Sequence, residues 1–265
     1  MSKPKSFHDI IVDTAVNKNA AAEARRHPDG SAQKPHDAIV AGLTLVADDL
    51  ASEGYSLSTN RLRLTRKNGD LTFEVGVQSD RNNVAGRLAA IWVHPAIYSK
   101  KVTAWARRHS SEWIRPAASF PVSFFGSQIG YFGKPKGWLD WNFADPAERR
   151  AVADDLIDAI RDRVLPVFSA FEGSADDIAA LVHRDWPIPE GILMGILTWL
   201  LAHGHRALAE ETLLQYLAVR PKVRADFDEL VSVFAVKGLP EFRTLSTSDL
   251  AAFAVATGFP WTKSA

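Results

Sequence analysis

The chain of 265 residues contains no cysteine. That excludes a disulfide framework and every thiolate metal site, and it fits a cytoplasmic protein. Net charge is also absent: 31 lysines and arginines balance 31 aspartates and glutamates, with an isoelectric point of about 7.1. A chain so balanced has no bulk attraction for nucleic acid or for an acidic membrane surface, and neither is expected as a partner. Long apolar runs are missing too. Lys3 and Lys5 precede no stretch of signal-peptide length, and the longest apolar run, Ile192 to Ala202, is broken by Gly195 and is too short to cross a bilayer. Motifs of catalysis are equally scarce. There is no Gly-x-Ser-x-Gly elbow, and the glycines at 126, 130, 133 and 137 match neither a dinucleotide fingerprint nor a phosphate loop, since no Ser or Thr follows Lys134 or Lys136. No cofactor is expected.

What the chain does have is clean period-two alternation between Ser56 and Val93, which predicts three consecutive antiparallel strands. The first, Ser58 to Arg66, sets Leu62 and Leu64 against Thr59, Arg61, Arg63 and Thr65. Asn68-Gly69-Asp70 closes a hairpin, with Asn-Gly supplying residues that accept positive φ. In the second strand Leu71, Phe73, Val75 and Val77 oppose Thr72, Glu74, Gly76 and Gln78, and the polar run Ser79 to Asn83 turns the chain again. The third, Arg87 to His94, alternates Ile91 and Val93 with Trp92 and His94, and Pro95 is expected to end it or to confine it to an edge.

Helical spacing begins at Asp37, where Ile39, Leu43, Val46 and Leu50 recur at three and four residues before Gly54. Residues 1–35 read as a flexible arm with one weak amphipathic segment, Phe7 to Val16. Tyr98 to Trp113 reads as a helix with Val102, Trp105 and Trp113 as anchors and with Lys100, Lys101, Arg107 and Arg108 as a solvated basic face. Phe120 to Phe125 and Trp138 to Phe143 read as further short strands. Asp145-Pro146-Ala147-Glu148 has the composition of a capping box with proline at the first helical position, followed by the stripe Val152, Leu156, Ile160 and Val164, with Pro166 kinking or ending the helix. Leu62, Leu64, Phe73, Val75, Val77, Leu156, Ile160 and Val164 are expected to share one core. From residue 173 helices alone follow: Ala175 to Val182, Gly191 to Ala202, Arg206 to Leu217, Val223 to Val236 and Ser246 to Ala256, with Phe253, Phe259 and Trp261 pinning the tail. No fixed repeat period links them. The expected organisation is an arm at 1–35, an α+β domain with an antiparallel sheet at 36–172, and a helical subdomain at 173–265.

The order of helix, Gly-Tyr turn, hairpin, third strand, loop bearing Trp138 and Trp141, and a helix closing on Leu165-Pro166-Val167-Phe168 resembles a bacterial domain family of unknown function associated with toxin-immunity loci. The resemblance covers roughly Ala38 to Phe171. It implies an α+β fold and a binding role, and it carries over no catalytic residue.

Candidate chemistry is thin. His203 and His205 flank Gly204 and, with His183 and Asp185, suggest a metal site, but imidazoles at a helix C-terminus are explained by the helix dipole, and no metal is expected. Paired carboxylates such as Asp154-Asp155 diverge on helices. Two function classes remain. The favoured one is a non-enzymatic protein-interaction module of the toxin-neutralising kind, with Arg61, Arg63, Glu74, Trp92, His94, Trp138 and Trp141 on the sheet face turned away from the core. The competing one is a hydrolase or nuclease assembled from dispersed histidines and carboxylates.

Overall fold

The computed structural model describes residues 32–109, 123–134, 137–183, 188–240 and 247–259. Its centre is a six-stranded sheet in the order β1-β2-β3-β4-β5, with β6 also paired to β4. The strands are β1 (Ser56–Ser58), β2 (Arg63–Asn68), β3 (Leu71–Ser79), β4 (Ala90–Ser99), β5 (Phe125–Gly126) and β6 (Asp140–Asn142). The registers of β1 on β2 and of β4 on β5 and β6 are antiparallel, and no strand lies beyond residue 174 among the described residues. This is the α+β arrangement that the change from period two to helical spacing predicts. Residues 1–31 of the predicted arm, with Phe7 to Val16, and Trp113, Phe120, Asp185 and Trp261 lie outside the described residues, whereas the end of the predicted arm is fixed: Gln33 accepts the Gly86 N–H at 3.0 Å and a guanidinium N–H of Arg149 at 2.7 Å, and Pro35 already begins a helix.

The first strand begins later than alternation suggests. Thr59–Arg61 forms a 3-10 turn and Leu62 takes a left-handed conformation at φ 46°, where its carbonyl accepts the Val77 N–H at 2.9 Å. Leu62 is therefore only partly buried while Leu64 is fully buried. The hairpin turn also shifts by one residue. Asn68 ends β2 and Gly69-Asp70 form the two-residue loop, with positive φ at Gly69 and not at Asn68. A glycine at the first central position is the requirement of a type II′ turn. After β3, Asn83 clamps the entry to β4, accepting the Ala90 N–H at 2.8 Å and donating to the Ala90 carbonyl at 2.9 Å.

Pro95 neither ends β4 nor confines it to an edge. Odd-numbered residues of this strand direct their backbone groups toward β6 and β5: the Phe143 N–H meets the Ala89 carbonyl and the Phe124 N–H meets that of Ile97. Even-numbered residues face β3, as the bond from the Asp80 N–H to the Ala90 carbonyl shows. At Pro95 itself the carbonyl accepts the Ser127 N–H at 3.4 Å, so the strand keeps a partner there although proline has no N–H to give.

Two compact units interleave along the chain, and β2, β3 and β4 each supply residues to both. The first takes residues up to Arg66, Val75–His94 and Gly137–Asp162. It contains helix α1 (Pro35–Leu50), whose stripe Ile39, Leu43, Val46 and Leu50 is wholly buried, and α3 (Arg149–Ala159), which packs on it. Gly42 leaves room for the Phe143 ring against α1: a Cβ there would lie 2.2 Å from it. Leu64, Val75, Ile91, Val93, Leu156 and Ile160 complete this core, whereas Val77 is only partly buried. The helix starts about one turn later than the capping sequence at Asp145 predicts. Asp145 accepts the Ala147 N–H at 2.8 Å in a turn, and the helix itself starts at Arg149.

The second unit takes Lys67–Glu74, Pro95–Lys136 and the residues from Arg163 onward. Helix α2 (Lys100–Arg107) starts two residues later than predicted because Tyr98 and Ser99 stay in β4. Ser99 caps it, accepting the Val102 N–H at 3.0 Å, while Asp70 accepts from the Ser99 hydroxyl and, at 3.0 Å, from the Lys101 N–H. Helix α4 (Leu165–Glu172) follows a π-helical turn at Ile160–Val164. That widened turn accommodates Pro166, which can neither donate to nor pack under the preceding turn of a regular α-helix, so the chain stays helical through it. Then come α5 (Ala175–Ala179), α6 (Glu190–Ala202), α7 (Arg206–Ala218), α8 (Pro221–Lys237) and α9 (Thr247–Thr257). Helix α6 is buried on several sides and packs on β5, α2, α7 and α9. Phe73, Val164, Phe168, Phe171, Leu197 and Phe253 are buried in this unit.

Candidate functional site

Strand parity sorts the tryptophans. In the β4–β6 ladder Ile91 faces Trp141 and Trp92 faces Asp140, and residues directly opposite in an antiparallel pair share a face. Ile91 is buried, so Trp141 points into the core with it: Trp141 is 5% exposed and its indole N–H donates to Asp155 at 2.7 Å. Trp141 therefore does not join the outward residues. Trp92, Asp140 and, two residues upstream of Asp140, Trp138 do share the outward face. The Trp138 ring lies 5.4 Å from that of Trp92 at 80°, and 6.1 Å from that of His94 at 71°. These are edge-to-face contacts of the kind that aromatic quadrupoles favour. Trp138 remains 48% exposed, and Asp140 is exposed beside it.

The charged residues expected on this face behave differently. Arg61 falls in the 3-10 turn, where strand alternation does not govern it, and is exposed. Arg63 is half-buried on β2, opposite in direction to Leu64. Glu74 belongs to the second unit, where the Tyr98 hydroxyl donates to it at 3.4 Å. The structure thus brings Trp92, His94 and Trp138 together and adds Asp140, which sequence reasoning missed. Its signal was available: Asp140 lies two residues from Trp138 in a predicted strand.

The histidines whose spacing suggests a metal site have other neighbours. His183 Nε2 lies 2.8 Å from Gln215 Oε1. His203 stacks on Trp199 with ring centroids 3.8 Å apart, and His205 lies parallel to the same indole at 6.2 Å. The His203 Nδ1–H donates to the Trp199 carbonyl at 2.8 Å, which fixes the neutral tautomer, because a carbonyl only accepts. Among the described residues no group of three or more histidine or acidic side chains gathers at metal-binding distance. Lys100, Lys101, Arg107 and Arg108 are all exposed on or just after α2. No helix among the described residues is long and apolar enough to cross a membrane.

Burial depresses the pKa of His94 below the usual imidazole value. Burial depresses that of His203 too, with the carbonyl of Trp199 opposing it, Lys101 adding to it, Asp70 opposing it and His205 adding to it. The sign of the linkage follows. With folded values below the unfolded value of about 6.5, the unfolded chain binds protons first as pH falls. Stability is thus full above about pH 6.5 and declines through the window below it, before carboxylates with ordinary values near 4 begin to titrate. Urea midpoints should fall between pH 7.5 and pH 5, and His203→Asn should flatten part of that decline; a midpoint that rises on acidification contradicts the assignment.

No family model matches the chain, and neither a curated protein nor a solved structure matches it significantly.

Proposed function

We propose that the chain is a non-enzymatic protein-interaction module, bacterial and cytoplasmic, of the toxin-neutralising kind, whose contact surface centres on Trp138 above Trp92 and His94. The half-exposed Trp138 ring, held by two aromatic neighbours on the outward sheet face, is the observation that carries this reading. A tryptophan side chain buries about 150 to 250 Å² when fully covered. Covering the exposed half would remove roughly 100 Å² from water and stabilise a complex by about 2 to 3 kcal/mol. Exposed charge pairs such as Arg61 could form contribute about 0 to 1 kcal/mol. The indole, then, outweighs the arginines. Tryptophan anchored by its neighbours also loses little freedom on binding, in keeping with its enrichment at interface hot spots.

The test is affinity capture from the host cell with three baits: wild type, Trp138→Ala, and Leu214→Ala, the last removing an apolar side chain of matched exposure, 47%, on α7. A protein retained by wild type and Leu214→Ala but lost with folded Trp138→Ala is expected. Equal retention by all three baits would place the contact surface elsewhere.

A further inference from the structure

We propose that the outward face of α2 docks an acidic helical segment of a partner protein. This surface lies wholly in the second unit and does not rest on the reading of Trp138. At about 100° per residue, the buried side chains of α2, Val102 and Ala106, share one side, and the opposite side is centred on Ala104, which is exposed. Lys100 and Arg107 flank Ala104 on one hand and Lys101 and Arg108 on the other, because seven residues make almost two full turns. Four exposed cations thus form two parallel rows, each about 10 Å long, with a methyl group as the floor between them. None of the four side chains makes an ion pair among the described residues.

Stability does not explain the lysines. Lys100 and Lys101 occupy the first turn of α2, which holds no acidic residue, at the end where the macrodipole is positive and disfavours cations. Asp70 offsets part of this, accepting from the Ser99 hydroxyl and the Lys101 N–H. It is one carboxylate beside four cations. An acidic helix supplies the others, since carboxylates seven residues apart on it span the same length of about 10 Å as each row, and the alanine floor gives its backbone room to approach. Exposed pairs are individually weak, so the face works by number and by steering an oppositely charged partner toward it. Nucleic acid fits less well. The chain as a whole is neutral, and the ring bordering this face, Trp105, is half-buried and packs against His109 with centroids 4.1 Å apart, which leaves no open platform for an unpaired base.

The test uses the full chain and a capped peptide of three Glu-Ala-Ala-Glu-Ala-Ala-Ala heptads, whose glutamates line one helix face. A peptide of the same composition with its glutamates spread around the helix is the control. Saturable shifts of the α2 amide signals in nitrogen-15 correlation spectra are expected with the striped peptide, and affinity should fall as sodium chloride rises, because exposed charges are screened. Reversing one row, with Lys100→Glu and Arg107→Glu together, should weaken binding about tenfold or more. Ala104→Glu, which sets a carboxylate on the floor, should abolish it. Lys100→Glu alone separates docking from a structural role: it should bind the peptide less well while its urea midpoint holds or rises, since glutamate suits a first turn. A fall in that midpoint would show that the lysine serves the fold and would count against the proposal. No saturable shift at α2, equal affinity for the control peptide, or undiminished binding by the folded double variant overturns it. So does tighter binding of a thymidine oligonucleotide or a DNA duplex than of the peptide, which would assign the face to nucleic acid.

Discussion

Phe73→Ala lowers the unfolding free energy by about 3 to 5 kcal/mol. Phe73 is fully buried in β3 and its ring sits 5.0 Å from that of Phe168, tilted by 37°. Truncation loses the transfer energy of the ring, leaves a cavity, and removes an aromatic contact worth about 0.5 to 1.5 kcal/mol beyond its area. The site cannot collapse easily, because β3 is hydrogen-bonded on both sides, to β2 and to β4. In urea the midpoint should drop with the slope unchanged. A loss below about 1 kcal/mol would be the behaviour of a surface position and would contradict the burial assigned here.

Gly195→Ala is the second large effect, and its sign is a contest. Inside a helix alanine is favoured over glycine by about 1 kcal/mol. At Gly195, however, a Cβ would lie 2.3 Å from the Phe124 carbonyl oxygen, 3.2 Å from its carbon and 3.3 Å from the Phe125 Cα. All three are backbone atoms and cannot rotate away, so α6 or the segment entering β5 has to move. Overpacking of this kind costs about 1 to 3 kcal/mol, and here it should reach the upper end and outweigh propensity. Gly191 in the same helix is the control, since a Cβ there meets nothing within 4 Å. Gly191→Ala should leave the melting temperature unchanged or raise it, while Gly195→Ala lowers it. Stabilisation by both would show that α6 does not approach the Phe124 backbone.

The period-two hairpin, the helix starting near Asp37 and the run of helices after residue 174 could be read from the chain because each is a local pattern repeated over many residues. Leu62 could not. Leucine rarely adopts positive φ, and only the long-range bond from the Val77 N–H to its carbonyl makes that conformation worthwhile. Pro95 misled for a related reason: β4 continues through it because segments about thirty residues or more downstream pair before and after it. The one-residue shift of the turn at Gly69 hinges on strand pairing as well, since Asn-Gly and Gly-Asp are both acceptable turn pairs. Trp141 was different. It stands three residues from Trp138, an odd separation, and in an extended segment an odd separation puts two side chains on opposite faces. The division of the two indoles was present in the sequence, as was the approach of Asp140 to Trp138.

The most direct measurement is titration calorimetry of the captured partner, purified, against wild type and against Trp138→Ala with a matched unfolding midpoint. If the outward aromatic face is the contact surface, the variant binds at least about thirtyfold more weakly, which is the loss of about 2 kcal/mol that marks a hot spot. Equal dissociation constants for the two proteins would contradict the account.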